Sequence, residues 1–283
     1  MQPHIAMMAR LRLAWPCDAG QSVSAKRHDL THQRRPAAAM KRQSNDRTSG
    51  AKVIVVGGGI AGLATAFHLA RGGANVEVLE AGAFVGAEAS AHNAGMVRRL
   101  GDDPVERALA VRTHAFLSAP DAVSDDFGKG PAPSNDRNGH SALARRTGAL
   151  LLLGHEPMRL HDAAAHLRAV GVDVEFLDTT SAISAKVASG VLDGCTARVG
   201  WYDADALIAD SAALCAGLRR GILRMGGSIE TNARVHRLHV VGGRLVGVDV
   251  DVGAGAGAGR TAATRFADAV VLATGAWSAA LAA

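Results

Sequence analysis

Aromatic residues make up only 4% of this 283-residue chain, which has three cysteines, one tyrosine and eight prolines. Cys17, Cys195 and Cys215 lie far apart and form no CxxC pair. That spacing excludes a disulfide scaffold and a cysteine-based zinc site, and it fits a reducing, cytoplasmic compartment. No stretch approaches 18 uninterrupted apolar residues, so no transmembrane helix is expected. The shortage of aromatics also removes the stacking platform on which single-strand nucleic-acid binders depend. What remains, 48% hydrophobic and 20% charged residues, is globular composition, long enough for one large domain or two modest ones.

The net charge of +5 is unevenly spread. Residues 1–50 hold nine Lys/Arg against Asp18, Asp29 and Asp46, a balance of +6, which leaves −1 for the other 233 residues. The basicity therefore belongs to an N-terminal extension, and no nucleic-acid partner is expected for the body. The extension is rich in Arg, Gln, Ser and Ala without sustained period, so disorder is expected over 1–50. Arg10 and Arg12 break its apolar start and spoil a secretory signal. An organelle transit peptide fits less well than initiation at Met40, because Asp18 and Asp29 interrupt the basic run.

Residues 53–73 read VIVVGGGIAGLATAFHLARGG. Val53–Val56 form a continuous apolar run, the pattern of a parallel strand buried on both faces. Gly57, Gly59 and Gly62 follow in G-x-G-x-x-G spacing, then Ile60, Leu63 and Phe67 at helical intervals, with Gly72 and Gly73 as a stop. A second strand, Asn75–Leu79, ends at Glu80. Gly57 permits the tight turn, Gly59 lets a pyrophosphate approach the backbone, and Gly62 allows close packing of helix on strand. The amides of Ile60, Ala61 and Gly62 at the positive end of the helix face an anion. Glu80, 18 residues after Gly62, can accept hydrogen bonds from ribose hydroxyls and repels a 2′-phosphate. A near-copy, Gly253–Gly259, opens no apolar-periodic helix and reads as a hairpin loop.

Three segments resemble the FAD-dependent oxidoreductases of the D-amino-acid oxidase, glycine oxidase and D-amino-acid dehydrogenase superfamily. They are residues 53–80, the stretch GAEASAHNAG at Gly86–Gly95, and ADAVVLATGAWSAAL at Ala267–Leu281. The resemblance covers about residues 51–283 and implies FAD as cofactor. It implies ADP binding by Gly57, Gly59, Ile60, Ala61, Gly62 and Glu80. Ser90 and Asn93 would line the diphosphate and ribityl region, Val235 would offer backbone to adenine, and Gly275 would approach the cofactor. Loop capping is the alternative for Ser90 and Asn93, and packing beside the strand is the first reading of Trp277.

The implied fold is α/β, a Rossmann-like FAD-binding domain with an inserted, mixed-sheet substrate domain that is incomplete here. The FAD-binding domain takes 51–118 and returns at 201–283, and the partial substrate domain takes 143–200. Residues 101–118 read as a helix, and 119–142 collect Pro, Gly, Ser, Asp and Asn as a loop. Gly148–Leu153 and Val172–Leu177 read as strands flanking a helix at Glu156–Val170. A long helix is expected from Ala204 to Met225, with Asp203 as its N-cap and Leu207, Leu214, Leu218 and Ile222 on one face. Cys215 reads as a buried thiol, and His161 and His166, five apart, form no metal pair, so no metal is expected.

The resemblance implies hydride transfer from the CH–NH carbon of a small amine or D-amino acid to the flavin. No catalytic residue is assigned. Arg98 and Arg99 are candidates for holding an anion, with a solvated pair flanking a helix start as the stronger reading, and Tyr202 is a candidate for the substrate pocket. Met96 and Val97 stand where the D-arginine dehydrogenase type carries a histidine and a tyrosine, so D-arginine is not assigned. The chain ends eight residues after Gly275, short of the family's usual length. The expectation is a fragment or a truncated gene. The alternatives to an FAD-dependent oxidoreductase are an NAD-dependent dehydrogenase and a catalytically silent FAD-binding remnant or subunit needing a partner chain.

Overall fold

The apolar run of residues 53–56 becomes the first strand of a parallel sheet, β1 (Lys52–Val56), in a computed structural model of the chain. The structure describes residues 50–120, 123–127, 143–154, 158–188, 190–197, 199–253 and 261–282. Met40, Cys17 and most of the Gly253–Gly259 repeat lie outside the described residues.

Helix α1 (Ile60–Arg71) follows β1, stops at Gly72, and turns through Gly73 at a φ of +90° into β2 (Asn75–Leu79). A short β3 (Met96–Val97) precedes α2 (Pro104–Ser118), whose start is set by Asp103 accepting from the Val105 and Glu106 amides, with Pro104 in the first turn. Then come β4 (Ala144–Arg146), β5 (Ala149–Leu153), α3 (Met158–Ala169), β6 (Glu175–Leu177), α4 (Thr180–Ser184), β7 (Val199–Asp203) and β8 (Leu207–Ala209). Helix α5 (Ser211–Arg224) leads to β9 (Ser228–Glu230), β10 (Ala233–Val241), β11 (Arg244–Val252), β12 (Thr261–Phe266), β13 (Ala269–Leu272) and α6 (Ser278–Ala282).

Among the described residues the strands form four sheets. β13-β1-β2-β9 is parallel, with Val53 opposite Ala269 on one side and Val76 on the other. β10-β11-β12, β3-β8-β4 and β5-β7-β6 are antiparallel. Alternation along β1 sends Val53 and Val55 into one core with Leu63, Phe67, Leu218 and Ile222 of α1 and α5. Ile54 and Val56 go into another, with Val235, Val248 and Val250 of the antiparallel sheet. The parallel sheet is thus covered by helices on one face and strands on the other, which is why its strands are apolar throughout. A third core packs α3 on Trp201 of β7.

Two sequence expectations fail in the stretch after residue 200. The helix starts at Ser211, not Ala204, and its N-cap is Asp210, which accepts from the Ala213 amide at 2.8 Å. Leu207 and Ile208 form β8 instead, pairing with Val97 and Met96 on one side and with Arg146 and Arg145 on the other. Asp203 closes strand β7 and caps no helix; its carboxylate accepts from the Asp205 amide at 3.1 Å. The expected strand at 172–177 is confined to Glu175–Leu177.

Within the expected loop at 119–142, residues 123–127 are docked. Phe127 is buried against Phe67 and Phe116, with ring centroids 5.5 and 5.0 Å away. It fits because Gly217 of α5 has no side chain; a Cβ there would strike the Phe127 ring. Asp126 is held by the guanidinium of Arg224 and by Ser124, and its carbonyl accepts from Arg220.

Candidate cofactor and substrate site

The turn between β1 and α1 is built by glycines that admit no substitute. Gly57 has a φ of +106°, and a Cβ on it would meet the carbonyl of Ala273, at 2.9 Å from its carbon. A Cβ on Gly62 would run into the carbonyl oxygen of Gly57. The helix therefore starts directly on the strand end, and the amides of Ala61 and Gly62 in its first turn have no intrahelical acceptor. A Cβ on Gly59 would lie 3.1 Å from Ser90 Oγ, so the space beside this turn is open only while residue 59 is glycine.

Glu80, at the end of β2, turns its carboxylate back onto the turn. One oxygen accepts from the Gly58 amide at 2.6 Å and the other from the Gly82 amide at 2.6 Å. Ser90 accepts from the Ile60 amide at 3.0 Å, and the Gly86 amide donates to the Gly58 carbonyl at 2.9 Å. The segment after β2 is thereby laid across the mouth of the turn. Asn93 bonds to its own loop through the Ser90 carbonyl and the Gly95 amide, and it accepts from Ser211 at the start of α5. Both capping and lining are consistent with these two side chains, and Ser211 is a partner that the sequence spacing does not reveal.

Residues from the far end of the chain complete the arrangement. The Ala273 amide donates to the Val56 carbonyl at 2.9 Å, which brings the Ala-Thr-Gly segment to the glycine turn. Gly275 has a φ of +54° with nothing within 4 Å of a Cβ position. Asn232 and Ala233 donate to the carbonyls of Gly82 and Glu80, so Val235 stands two residues beyond the end of β2, where it pairs with Val250 at a bulge. Trp277, expected to pack, is 55% exposed. Cys215 is buried 3.1 Å from a Cβ position at Gly86, and burial pushes its thiol pKa up, which leaves it protonated.

The three substrate-side candidates meet at one place. Arg98, Arg99 and Tyr202 line a cavity of about 160 Å³ between the segment after β3 and the β5-β7-β6 sheet. The two arginines are not an equivalent solvated pair. Arg98 is exposed, whereas Arg99 is buried and clamped by Asp203, donating Nε to Oδ2 at 2.8 Å and Nη2 to Oδ1. Asp205, on the next turn, takes Arg146 at 3.1 Å. Asp203 is thus the partner of a residue 104 positions earlier, a pairing with no local signature.

The parallel sheet, the glycine turn and the acid at the end of β2 define an α/β fold of the dinucleotide-binding kind, and the open turn with free amides fits the ADP part of FAD. The family model described as DAO, FAD dependent oxidoreductase, matches residues 52–283, and the chain belongs to that family, whose cofactor is FAD.

L-proline dehydrogenase from P. horikoshii superimposes with a TM-score of 0.63 at 19% identity, covering 82% of this chain and 55% of that one. Glycine oxidase from Geobacillus kaustophilus does so with a TM-score of 0.57 at 23% identity, covering 82% and 57%. L-amino acid deaminase from Proteus myxofaciens, in complex with anthranilate, gives 0.57 at 20%, covering 81% and 46%. At these identities the likeness is one of fold, and the chain spans about half the length of these structures. No curated protein matches the chain. Among the described residues no helix is long and apolar enough to cross a membrane.

Proposed function

We propose that this chain carries the cofactor-binding part and a portion of the substrate-binding part of an FAD-dependent oxidoreductase acting on the CH–NH bond of a small amine or amino acid. FAD, when bound, supplies the isoalloxazine ring that accepts a hydride, chemistry that needs little from protein side chains. Residues 51–118 and 201–283 supply the cofactor side, and 143–200 the substrate side, to which Arg98, Arg99 and Tyr202 are added from the flanking segments. The amides of Ala61 and Gly62 hold the diphosphate, with Ile60, whose own amide is taken by Ser90, beside them. Glu80 accepts from the ribose hydroxyls, Ser90 and Asn93 line the way toward the ribityl chain, Val235 presents backbone to adenine, and Gly275 leaves room for close approach.

The observation that carries this reading is the hydrogen bond from the Ala273 amide to the Val56 carbonyl, which joins the end of β13 to the start of the glycine turn and supports the reading that the two most family-like segments share one site. The neighbouring structures, an L-proline dehydrogenase, an L-amino acid deaminase and a glycine oxidase, all bear names of enzymes that act on amino acids. The test is to saturate the chain with FAD and add glycine, proline or alanine of either hand without oxygen. Bleaching of the visible flavin band by any of them supports the reading, and a flavin that stays oxidised with all of them contradicts it.

A further inference from the structure

A second cavity, of about 280 Å³, lies in the segment between β6 and β7 and shares no lining residue with the cavity of Arg98, Arg99 and Tyr202. Helix α4 gives it Thr180, Ile183 and Ser184, which recur at helical spacing, and Val187 continues that face. The rest of the wall is a segment folded on itself by backbone hydrogen bonds. Val191 donates to the Ala188 carbonyl at 3.2 Å, Asp193 to Gly190 at 3.3 Å and Cys195 to Leu192 at 2.8 Å. Gly190 and Gly194, at φ of +85° and +78°, permit these reversals. The lining is divided by chemistry. Ile183, Val187 and Leu192 are apolar, whereas the hydroxyls of Thr180 and Ser184 and the carboxylate of Asp193 have no partner among the described residues. Lys186 is held by Glu175 at 2.6 Å and does not line the cavity. Among the described residues of the wall, Asp193 is the one charged group, and its charge is not cancelled.

We infer that this cavity binds a compact organic monocation, a small aliphatic ammonium. Its charge meets Asp193, its other N–H groups reach the Thr180 and Ser184 hydroxyls, and its hydrocarbon lies on Ile183, Val187 and Leu192. An ammonium is all donor and no acceptor, so it suits a wall that offers a carboxylate and two idle hydroxyl oxygens, whereas an anion is repelled by Asp193. The volume of about 280 Å³ falls below the range of drug-sized pockets, about 300–1,000 Å³, which limits the ligand to a few carbons. Asp193 is exposed, so affinity is modest and weakened by salt. The inference goes beyond the FAD reading and draws on none of the residues proposed for it.

The wall carries its own reporter, since Cys195 lines the cavity as an exposed free thiol while Cys215 is buried. The full chain is treated with N-ethylmaleimide at pH 7 and constant ionic strength, with rising isobutylammonium chloride, and labelling of Cys195 is timed by peptide mass spectrometry. A saturable slowing is expected. Isobutanol, with the same carbon skeleton and no charge, should not produce it. Asp193→Asn should raise the half-protecting concentration about fivefold, and Asp193→Glu should recover part of the loss. The melting temperature and the labelling rate without ligand should be unchanged in Asp193→Asn, which separates recognition from folding. Equal slowing by isobutanol, no slowing by isobutylammonium, or undiminished slowing in Asp193→Asn overturns the inference. The measurement needs no FAD, so failure to bind FAD counts against the proposed function and leaves this result standing.

Discussion

The carboxylate of Glu80 accepts a hydrogen bond of 2.6 Å from the backbone amide of Gly58, 22 residues earlier in the chain. The acid at the end of β2 and the glycine turn after β1 are therefore one mechanical unit. An acid placed here orients the turn, besides the ribose contact proposed for it. A Cβ on Gly58 would press on the same carboxylate, 2.9 Å from Oε2, and on Val85, so this middle glycine, outside the G-x-G-x-x-G set, is also constrained, though by side chains and not by backbone.

Glu80→Gln keeps the shape but loses the charge-assisted acceptor for the ribose hydroxyls in the proposed site. Losing that bond costs about 1.5–3 kcal/mol, so FAD affinity should fall roughly tenfold to a hundredfold. Equilibrium titration with FAD checks this. Unchanged affinity would mean that Glu80 does not meet the ribose when cofactor is bound.

The glycines should differ sharply in tolerance. Gly57→Ala forces a side chain to a φ of +106° and against the Ala273 carbonyl. Strain of about 1–3 kcal/mol, with a backbone clash added, should abolish FAD binding and lower stability. Gly275→Ala sits at a φ of +54° with no neighbour within 4 Å, so it should cost only about 1 kcal/mol of backbone strain. Denaturant unfolding of the two variants side by side reads the difference, and equal losses would contradict it.

Breaking the Arg99–Asp203 pair from either side strands a buried charge. Arg99→Met or Asp203→Asn should each destabilise by about 3–5 kcal/mol. Because the residues share one interaction, the double variant should lose markedly less than the sum. Additive losses in urea unfolding would show that the two side chains act independently.

Asp126 makes stability depend on acid. The hydrogen bond from Arg224 is the main reason its carboxyl lies below the usual range, with Ser124 and Arg220 helping and burial opposing. A depressed folded-state value means that the contribution is present above the ordinary carboxylate pKa of about 3.9 and is lost as pH falls through the folded value. Asp126→Asn should thus melt lower than wild type from about pH 5 to 8, with the gap closing below about pH 4. A gap of constant size down to the lowest pH would rule out this ion pair as its source.

The β1–α1–β2 unit was legible because every local rule agrees there: buried run, glycine turn, helical period, second strand and terminal acid. Continuous apolar strands also announced the layer on each side. After residue 200 local rules pointed to Asp203 as an N-cap, with Leu207, Leu214, Leu218 and Ile222 on one helical face. Tertiary pairing of Leu207 and Ile208 with β3 and β4 moved the helix start to Ser211, and no window of sequence contains that information. The same holds for Arg99 with Asp203 and for Phe127, whose pocket exists only because Gly217 faces it from α5. In the candidate site, the glycines and Glu80 were readable from their spacing. Ser211 and the contrast between exposed Arg98 and clamped Arg99 required the fold.

The central claim is that the Gly57 turn, Glu80, the Ser90 loop and the end of β13 form a single FAD cradle. Calorimetric titration of the chain with FAD, with NAD as the competing ligand, tests it most directly. The account predicts one FAD bound per chain, not displaced by excess NAD, with affinity lost in Gly57→Ala. Binding of NAD in preference to FAD, or FAD affinity unaffected by Gly57→Ala, would contradict it.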